Sequence, residues 1–453
     1  MLDFGERARP RSGSAVMLLS LSLGGLAFSV LQSLVAPALP AIARDLGVST
    51  ADASWVVTAY LLSASVLTPV LGRLGDMMGK RMVLLAVLGL LAAGTLLAAL
   101  ATDLATLVVA RALQGAAGAI MPLSIGIVRD ELPRERVSVV IGLLSAMVGV
   151  GAGVGIVAAG PVVDHLSWHW LFWFSLIVIA VALAGAAAGV PGRGRRSPGR
   201  LDLPGTALLS VSLVALLLAI SKASDWGWGH PATLTLLGTG LLTLPLFVRV
   251  ERRTREPLID LRLLRPRGVW AADLVSLLLG FAMFGTFLLV PALLLLPDGG
   301  FGVTVTEAGL FLLPTTLTML VSGPLAGVLV RRHGPRPPMV AGAAAVAGAF
   351  VLLTFAHEEA WQILAAGALT GAGIGLAFAA MPNAIIDAVP AGNTGEATSV
   401  NSIARTVGSS LGTAVIALVL SEGSGLAFST GFAVCAGVSI LAVMASFFLP
   451  ARP

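Results

Sequence analysis

An all-α polytopic membrane protein with fourteen transmembrane helices is expected from this sequence, on three grounds. Of 453 residues, 57% are hydrophobic and 11% charged, against roughly 25% charged in an average soluble domain. Mean hydropathy is +0.96. Apolar runs recur from end to end, each near the roughly 20 residues that a helix needs to cross the hydrocarbon core. A soluble enzyme of this length is excluded.

The first run, 15–39, follows Arg7, Arg9 and Arg11 and exceeds the roughly 7 to 15 residues of a signal-peptide core. It is expected to stay as helix 1. The same length rule places helices 2 to 6 at 54–72, 82–101, 104–128, 137–160 and 169–190. Helices 7 and 8 follow at 204–221 and 231–249, and helices 9 to 14 at 269–296, 307–330, 338–356, 361–382, 396–420 and 425–449.

The charges test this count, because Lys and Arg collect in cytoplasmic loops. Counting from a cytoplasmic N-terminus, the tail, the even-to-odd loops and the C-terminal end hold 24 of the 28 basic residues. The opposite side holds Arg44 and Lys222, and Arg111 and Arg405 fall within spans. Both termini are therefore expected in the cytoplasm. This bias also accounts for the pI near 10.5, so no nucleic-acid partner is expected.

Catalytic chemistry finds no foothold. Cys435 is the single cysteine, and His165, His169, His230, His333 and His357 stand apart from one another, so no metal-ligand spacing or nucleophile constellation emerges. No metal, no cofactor and no enzyme activity are expected.

The chain repeats internally. Gly72, Leu74, Gly79 and Arg81 align with Gly327, Leu329, Gly334 and Arg336, and Asp130 and Pro133 with Asp387 and Pro390. Helices 1 to 6 thus match helices 9 to 14, which gives a six-helix bundle at 1–191, an inserted pair with a basic loop at 192–267 and a second bundle at 268–453. Repeated halves with a site between them are how secondary transporters are built. The segment 249–267 interleaves Arg with Leu258, Ile259, Leu261, Leu263 and Leu264, which fits an interfacial amphipathic helix or a plain basic loop.

The run Gly72-Arg73-Leu74-Gly75-Asp76-Met77-Met78-Gly79-Lys80-Arg81 resembles the signature between helices 2 and 3 of the major facilitator superfamily. Small glycines let two helices approach through a tight turn, and Asp76 can pair with Lys80, Arg81 or a helix N-terminus. The expected result is a conformational latch of Gly72, Asp76, Gly79, Lys80 and Arg81. In the second copy Arg331 replaces the acid, which predicts an asymmetric latch.

Two further segments extend the resemblance. Arg111-Ala112-Leu113-Gln114-Gly115 in helix 4 is similar to a second superfamily motif, which implies a part for Arg111 in proton coupling. Gly151 to Gly160 in helix 5, with Gly155 between them, resembles the antiporter motif but carries Ile156 and Ala159 where that motif has proline and glycine. Six plus two plus six helices, together with Gly395-Glu396-Ala397-Thr398-Ser399, Asn401 and Arg405 in helix 13, resemble the fourteen-span drug:proton antiporter branch. That branch carries an acid in helix 1, where this sequence has Leu31, Gln32 and Ser33.

By analogy with that fold, helices 1, 4, 9 and 12 line a central cavity. Gln32, Ser33, Gln114, Phe284, Phe287, Met381 and Asn383 would then form an oily pocket suited to lipophilic molecules. Asp273 is the most membrane-embedded acid and the expected proton carrier. With Arg111 and Arg405 in the membrane, neutral or anionic amphiphiles are the expected substrates.

The resemblance implies a monomeric exporter of lipophilic drugs or metabolites in a bacterial cytoplasmic membrane, driven by the proton gradient. Two alternatives stay open: a dedicated transporter of one metabolite or lipid without proton coupling, and a non-transporting scaffold.

Overall fold

The structure is a computed structural model, and it describes residues 12–192, 199, 201–296, 300–421 and 427–450. Arg7, Arg9, Arg11, Arg193, Arg195, Arg196, Arg200 and Arg452, which entered the topology argument, lie outside the described residues. Among the described residues there is no strand.

Among the described residues, fourteen helices are long and apolar enough to cross a membrane. In the first bundle these are α1 (Ser14–Ser33), α2 (Trp55–Met78), α3 (Lys80–Ala99), α4 (Leu104–Glu131), α5 (Arg134–His165) and α6 (His169–Gly189). The next two are α7 (Leu203–Ala223) and α8 (Pro231–Glu251). The remaining six are α9 (Arg267–Leu295), α10 (Thr306–His333), α11 (Arg336–Phe355), α12 (Ala360–Ala388), α13 (Thr394–Leu420) and α14 (Ala427–Ser446).

The repeat is visible in the packing. Helix α1 lies against α5 and α6 as α9 lies against α13 and α14, and α2 pairs with α4 as α10 pairs with α12. Each set closes on its own apolar core. The two sets meet along α5 with α10 and α12, and along α13 with α2 and α4. Helix α7 bridges this seam by touching both α2 and α13.

Helix ends depart from the expected runs where glycine and proline act. Helix 1 breaks at Leu34 and resumes as Val35–Asp45, where Pro37 and Pro40 lack the N–H that a continuous helix uses. Helix 2 runs on to Met78 and stops at Gly79, whose φ of 110° is costly for any side-chain-bearing residue. Gly334, its repeat partner, has φ 82°. Helix 4 tightens to a 3-10 segment at Gly115–Ala119.

Between Glu251 and Arg267 the chain forms a loop rather than an amphipathic helix. Pro257 and Pro266 restrict the residues before them to extended conformations. The apolar residues face protein: Leu258 and Ile259 pack with Leu209, Leu213 and Phe247, and Val400, Ile403 and Val407 of α13 join them.

Candidate functional site

The ends of α2, α4, α12 and α13 meet at one end of the seam, the basic end. There Asp76 caps a helix that is not its own. Its Oδ1 and Oδ2 accept the backbone N–H groups of Gly395 at 3.3 Å and Glu396 at 2.9 Å, in the first turn of α13, where unpaired N–H groups and the dipole favour an anion. The approach needs two glycines. A Cβ on Gly72 would collide with Ser399 and Gly395, and one on Gly395 would lie 2.8 Å from the Gly72 carbonyl.

Lys80 opens α3, where a cation opposes the helix dipole, and two carboxylates offset this. Its Nζ lies 3.4 Å from Asp76 and 2.9 Å from Asp130, and the side chain is only 2% exposed. Its aliphatic stem runs over Gly126, where a Cβ would lie 2.5 Å from Cε. Arg81 turns elsewhere and donates to the Ala187 carbonyl at 2.7 Å.

Two more arginines cross the seam. Arg73 reaches Glu396 at 3.2 Å, with both side chains under 10% exposed. Arg129 donates to the carbonyls of Ile386, Val389 and Pro390 and to Thr394 Oγ1 at 2.6 to 3.2 Å, which satisfies the C-terminal end of α12. The first bundle thus offers an anion to a helix N-terminus and a cation to a helix C-terminus. In the second copy, Gly327 meets the Ser138 carbonyl of α5 at a Cβ distance of 2.5 Å, while Arg331 is exposed.

The glycines of α5 divide between two neighbours. Cβ atoms on Gly151 and Gly155 would strike Leu26, Ser29, Val30 and Ser33 of α1, whereas those on Gly142, Gly149 and Gly153 would strike Gly323, Met319 and Thr316 of α10. Gly160 is buried in the same helix, which runs unbroken to His165.

Deeper in the seam lies a cationic group. Arg111 is wholly buried. Its Nε donates to the Val56 carbonyl at 3.1 Å, and its Nη1 to the Leu31 carbonyl at 3.0 Å and Gln114 Oε1 at 2.8 Å. Gln114 in turn donates to Thr95 at 3.1 Å. The guanidinium lies 4.3 Å from the ring centroid of Tyr60, the chain's single tyrosine. Arg405 of α13 lies 5.4 Å over Phe378 and within electrostatic reach of Tyr60. Arg111 Nη2 and Tyr60 Oη are buried without a hydrogen-bond partner.

The other expected site residues scatter. Asp273 accepts from Asn401 Nδ2 at 3.0 Å, joining α9 to α13. Phe284 and Phe287 form an edge-to-face pair at 6.2 Å. Met381 and Asn383 are 1% exposed, and Asn383 donates to Ala379 of its own helix at 2.7 Å. Ser33 donates to Val30 at 3.2 Å and fills the space over Gly155. Gln32 is half-buried.

Sequence reasoning passed over Tyr60, Arg73, Arg129 and Glu396 as site residues. A lone tyrosine in an apolar run signalled the first. Arg73 and Glu396 stand inside motifs without a partner in view, and Arg129 looks like an ordinary loop charge, until the fold brings helix ends together.

Comparison with known proteins gives one consistent result. A family model described as Major Facilitator Superfamily matches residues 21–293 and 274–453. The multidrug transporter protein MdtP of Bacillus subtilis is 29% identical over 88% of this chain and 74% of its own length. The tetracenomycin C resistance and export protein of Streptomyces glaucescens is 31% identical over 94% of this chain and 78% of its own. The solved structure of the human organic anion transporter MFSD10 superposes with a TM-score of 0.65 at 18% identity, covering 95% of this chain and 98% of that one, a likeness of fold.

Proposed function

Since the chain belongs to the major facilitator superfamily, a family of membrane transporters, we propose that it exports lipophilic small molecules by alternating access coupled to proton antiport. The basic end would face the cytoplasm of a bacterium. The relatives named for multidrug transport and for resistance to and export of tetracenomycin C support export as the direction.

The observation that carries this reading is a trio of side chains: Arg111 and Tyr60, buried in the first bundle, and the half-buried Arg405 of α13, within electrostatic reach of Tyr60. Two arginines without a carboxylate partner among the described residues favour neutral or anionic amphiphiles over cations. The unpartnered Arg111 Nη2 and Tyr60 Oη supply donors for a substrate's oxygen, and Phe378, Phe284 and Phe287 supply apolar surface. Asp273, held by Asn401, is the candidate proton carrier. The contacts of Asp76, Arg73 and Arg129 with α12 and α13 form a clasp at the basic end; it corresponds to a state closed toward the cytoplasm, and opening it would expose the trio to that side.

The test uses proteoliposomes that hold a pH-sensitive dye, with lipophilic compounds of positive, neutral and negative charge added under a proton gradient. Neutral and anionic compounds should move protons, and D273N should abolish that movement. Export of a permanent cation would overturn the charge argument. Substrate crossing without proton movement would overturn antiport.

A further inference from the structure

The transport reading leaves one charge without a counter-charge. Arg111 is wholly buried within the span of α4, and each of its nitrogens can be followed. Nε donates to the Val56 carbonyl, and Nη1 to the Leu31 carbonyl and to Gln114 Oε1. The Gln114 amide donates onward to Thr95 Oγ1, which keeps its oxygen turned toward the guanidinium. Nη2 alone has no partner. A guanidinium carries donors and no acceptor, so only an acceptor or an anion can take up this group.

The partners that Arg111 does have are neutral. Carbonyl oxygens satisfy its N–H groups but leave its net charge in place, and an uncompensated charge at membrane depth is costly. Arg405, in the span of α13, adds a second positive charge 5.4 Å over Phe378. Among the described residues neither arginine forms an ion pair, and Asp273 is engaged by Asn401 instead. The ionisable group that acts on both arginines is Tyr60. Its ring centroid lies 4.3 Å from the guanidinium carbon of Arg111, and its hydroxyl is buried without a partner in a residue that is 1% exposed.

We propose that these three side chains hold one small inorganic anion, chloride, when no substrate occupies the site. Arg111 Nη2 and the Tyr60 hydroxyl supply its hydrogen bonds, and Arg405 supplies the second positive charge. Orphaned donors in the field of two guanidiniums are the complement of an anion, and each otherwise bears the cost of burial without a partner. The site is buried and flanked by Phe378, which selects a monovalent ion, because a dianion such as sulfate gives up far more hydration on entering. A monatomic ion also accepts hydrogen bonds from any direction. The acid group of a lipophilic substrate meets the same donors, so chloride serves as its stand-in between export cycles, a role that rests on the transport reading, whereas binding of the ion does not.

Binding is measured without substrate or proton gradient, so its failure leaves the export reading standing, and failure of export leaves the ion site standing. Full-length protein in detergent is prepared in sodium gluconate without chloride, then dialysed against radiolabelled chloride at constant ionic strength. Binding should saturate, and the unfolding temperature should rise with chloride but not with added gluconate, as ligand linkage requires. Y60F, which keeps the ring, and R405Q, which removes one charge, should each raise the Kd about tenfold, the equivalent of one lost hydrogen bond to an ion. Absence of saturable binding overturns the proposal, and so does binding that both variants leave unchanged, because the ion then sits elsewhere. R111Q should abolish binding; should it fail to fold, Y60F and R405Q carry the test.

Discussion

Asp76 on α2 accepts the backbone N–H of Glu396 on α13 at 2.9 Å, so an acid in one bundle caps a helix of the other. The contact needs no side chain from its partner. It depends on the backbone position of α13, which makes it sensitive to opening of the seam at this end.

Replacing that acid loosens the clasp. A hydrogen bond to a charged group contributes about 1.5–3 kcal/mol, so D76N should shift the closed-to-open ratio at the basic end roughly tenfold to a hundredfold toward open. Spin-label distances between the ends of α2 and α13 would measure this. An unchanged distribution would show that the cap does not hold the state.

The Arg73–Glu396 pair should show strong coupling. Both side chains are nearly inaccessible to solvent, and removing one member of a buried pair costs about 3–5 kcal/mol because the other charge stays behind. E396A should therefore destabilise the closed state more than the double variant R73A/E396A does. A double-mutant cycle on the same distance measurement tests this, and simple additivity would contradict it.

Tyr60 separates stability from transport. Its hydroxyl is buried without a partner, a cost of about 1–3 kcal/mol, while its ring lies under Arg111. Y60F keeps the ring and should unfold at the same temperature or higher. Export of acidic amphiphiles by Y60F should nevertheless fall by about tenfold, the equivalent of about 1.4 kcal/mol of lost substrate binding. Equal export by Y60F and wild type would remove the hydroxyl from the site. R111K, which cannot reproduce the fork of donors, should lose both export and stability.

The α5 glycines should be intolerant in proportion to what lies over them. G151A puts a methyl 2.5 Å from the Leu26 carbonyl, and overpacking of this kind costs about 1–3 kcal/mol. At Gly89 and Gly437 nothing lies within 4 Å, so G89A and G437A should be neutral. Thermal unfolding in detergent ranks the three, and a neutral G151A would mean that α1 and α5 separate readily.

The fourteen spans, the repeat and the run from Gly72 to Arg81 were legible because each is a local pattern: hydropathy over one helix length, or small and charged residues at fixed spacing. The partners of that run were not. Asp76 offered Lys80, Arg81 or a helix N-terminus, and the structure joins it to Lys80 and to the start of α13, whereas Arg81 bonds Ala187. The lining of a pocket is not a local pattern either, since it depends on how several helices face one another. Ser33 and Asn383 instead satisfy their own helices, as hydroxyl and amide side chains do wherever no cavity claims them.

Hydropathy and charge along the chain specify that it lives in a bilayer, how many times it crosses, and that its two halves repeat, because transfer of apolar surface and of charge is settled residue by residue. Which charges meet is a property of the packed helices. Arg129 with the end of α12, Arg73 with Glu396, and Lys80 with Asp130 are pairs set by which helix ends share an end of the bundle. No spacing along the chain encodes that adjacency, because it arises when two bundles and an inserted pair pack together.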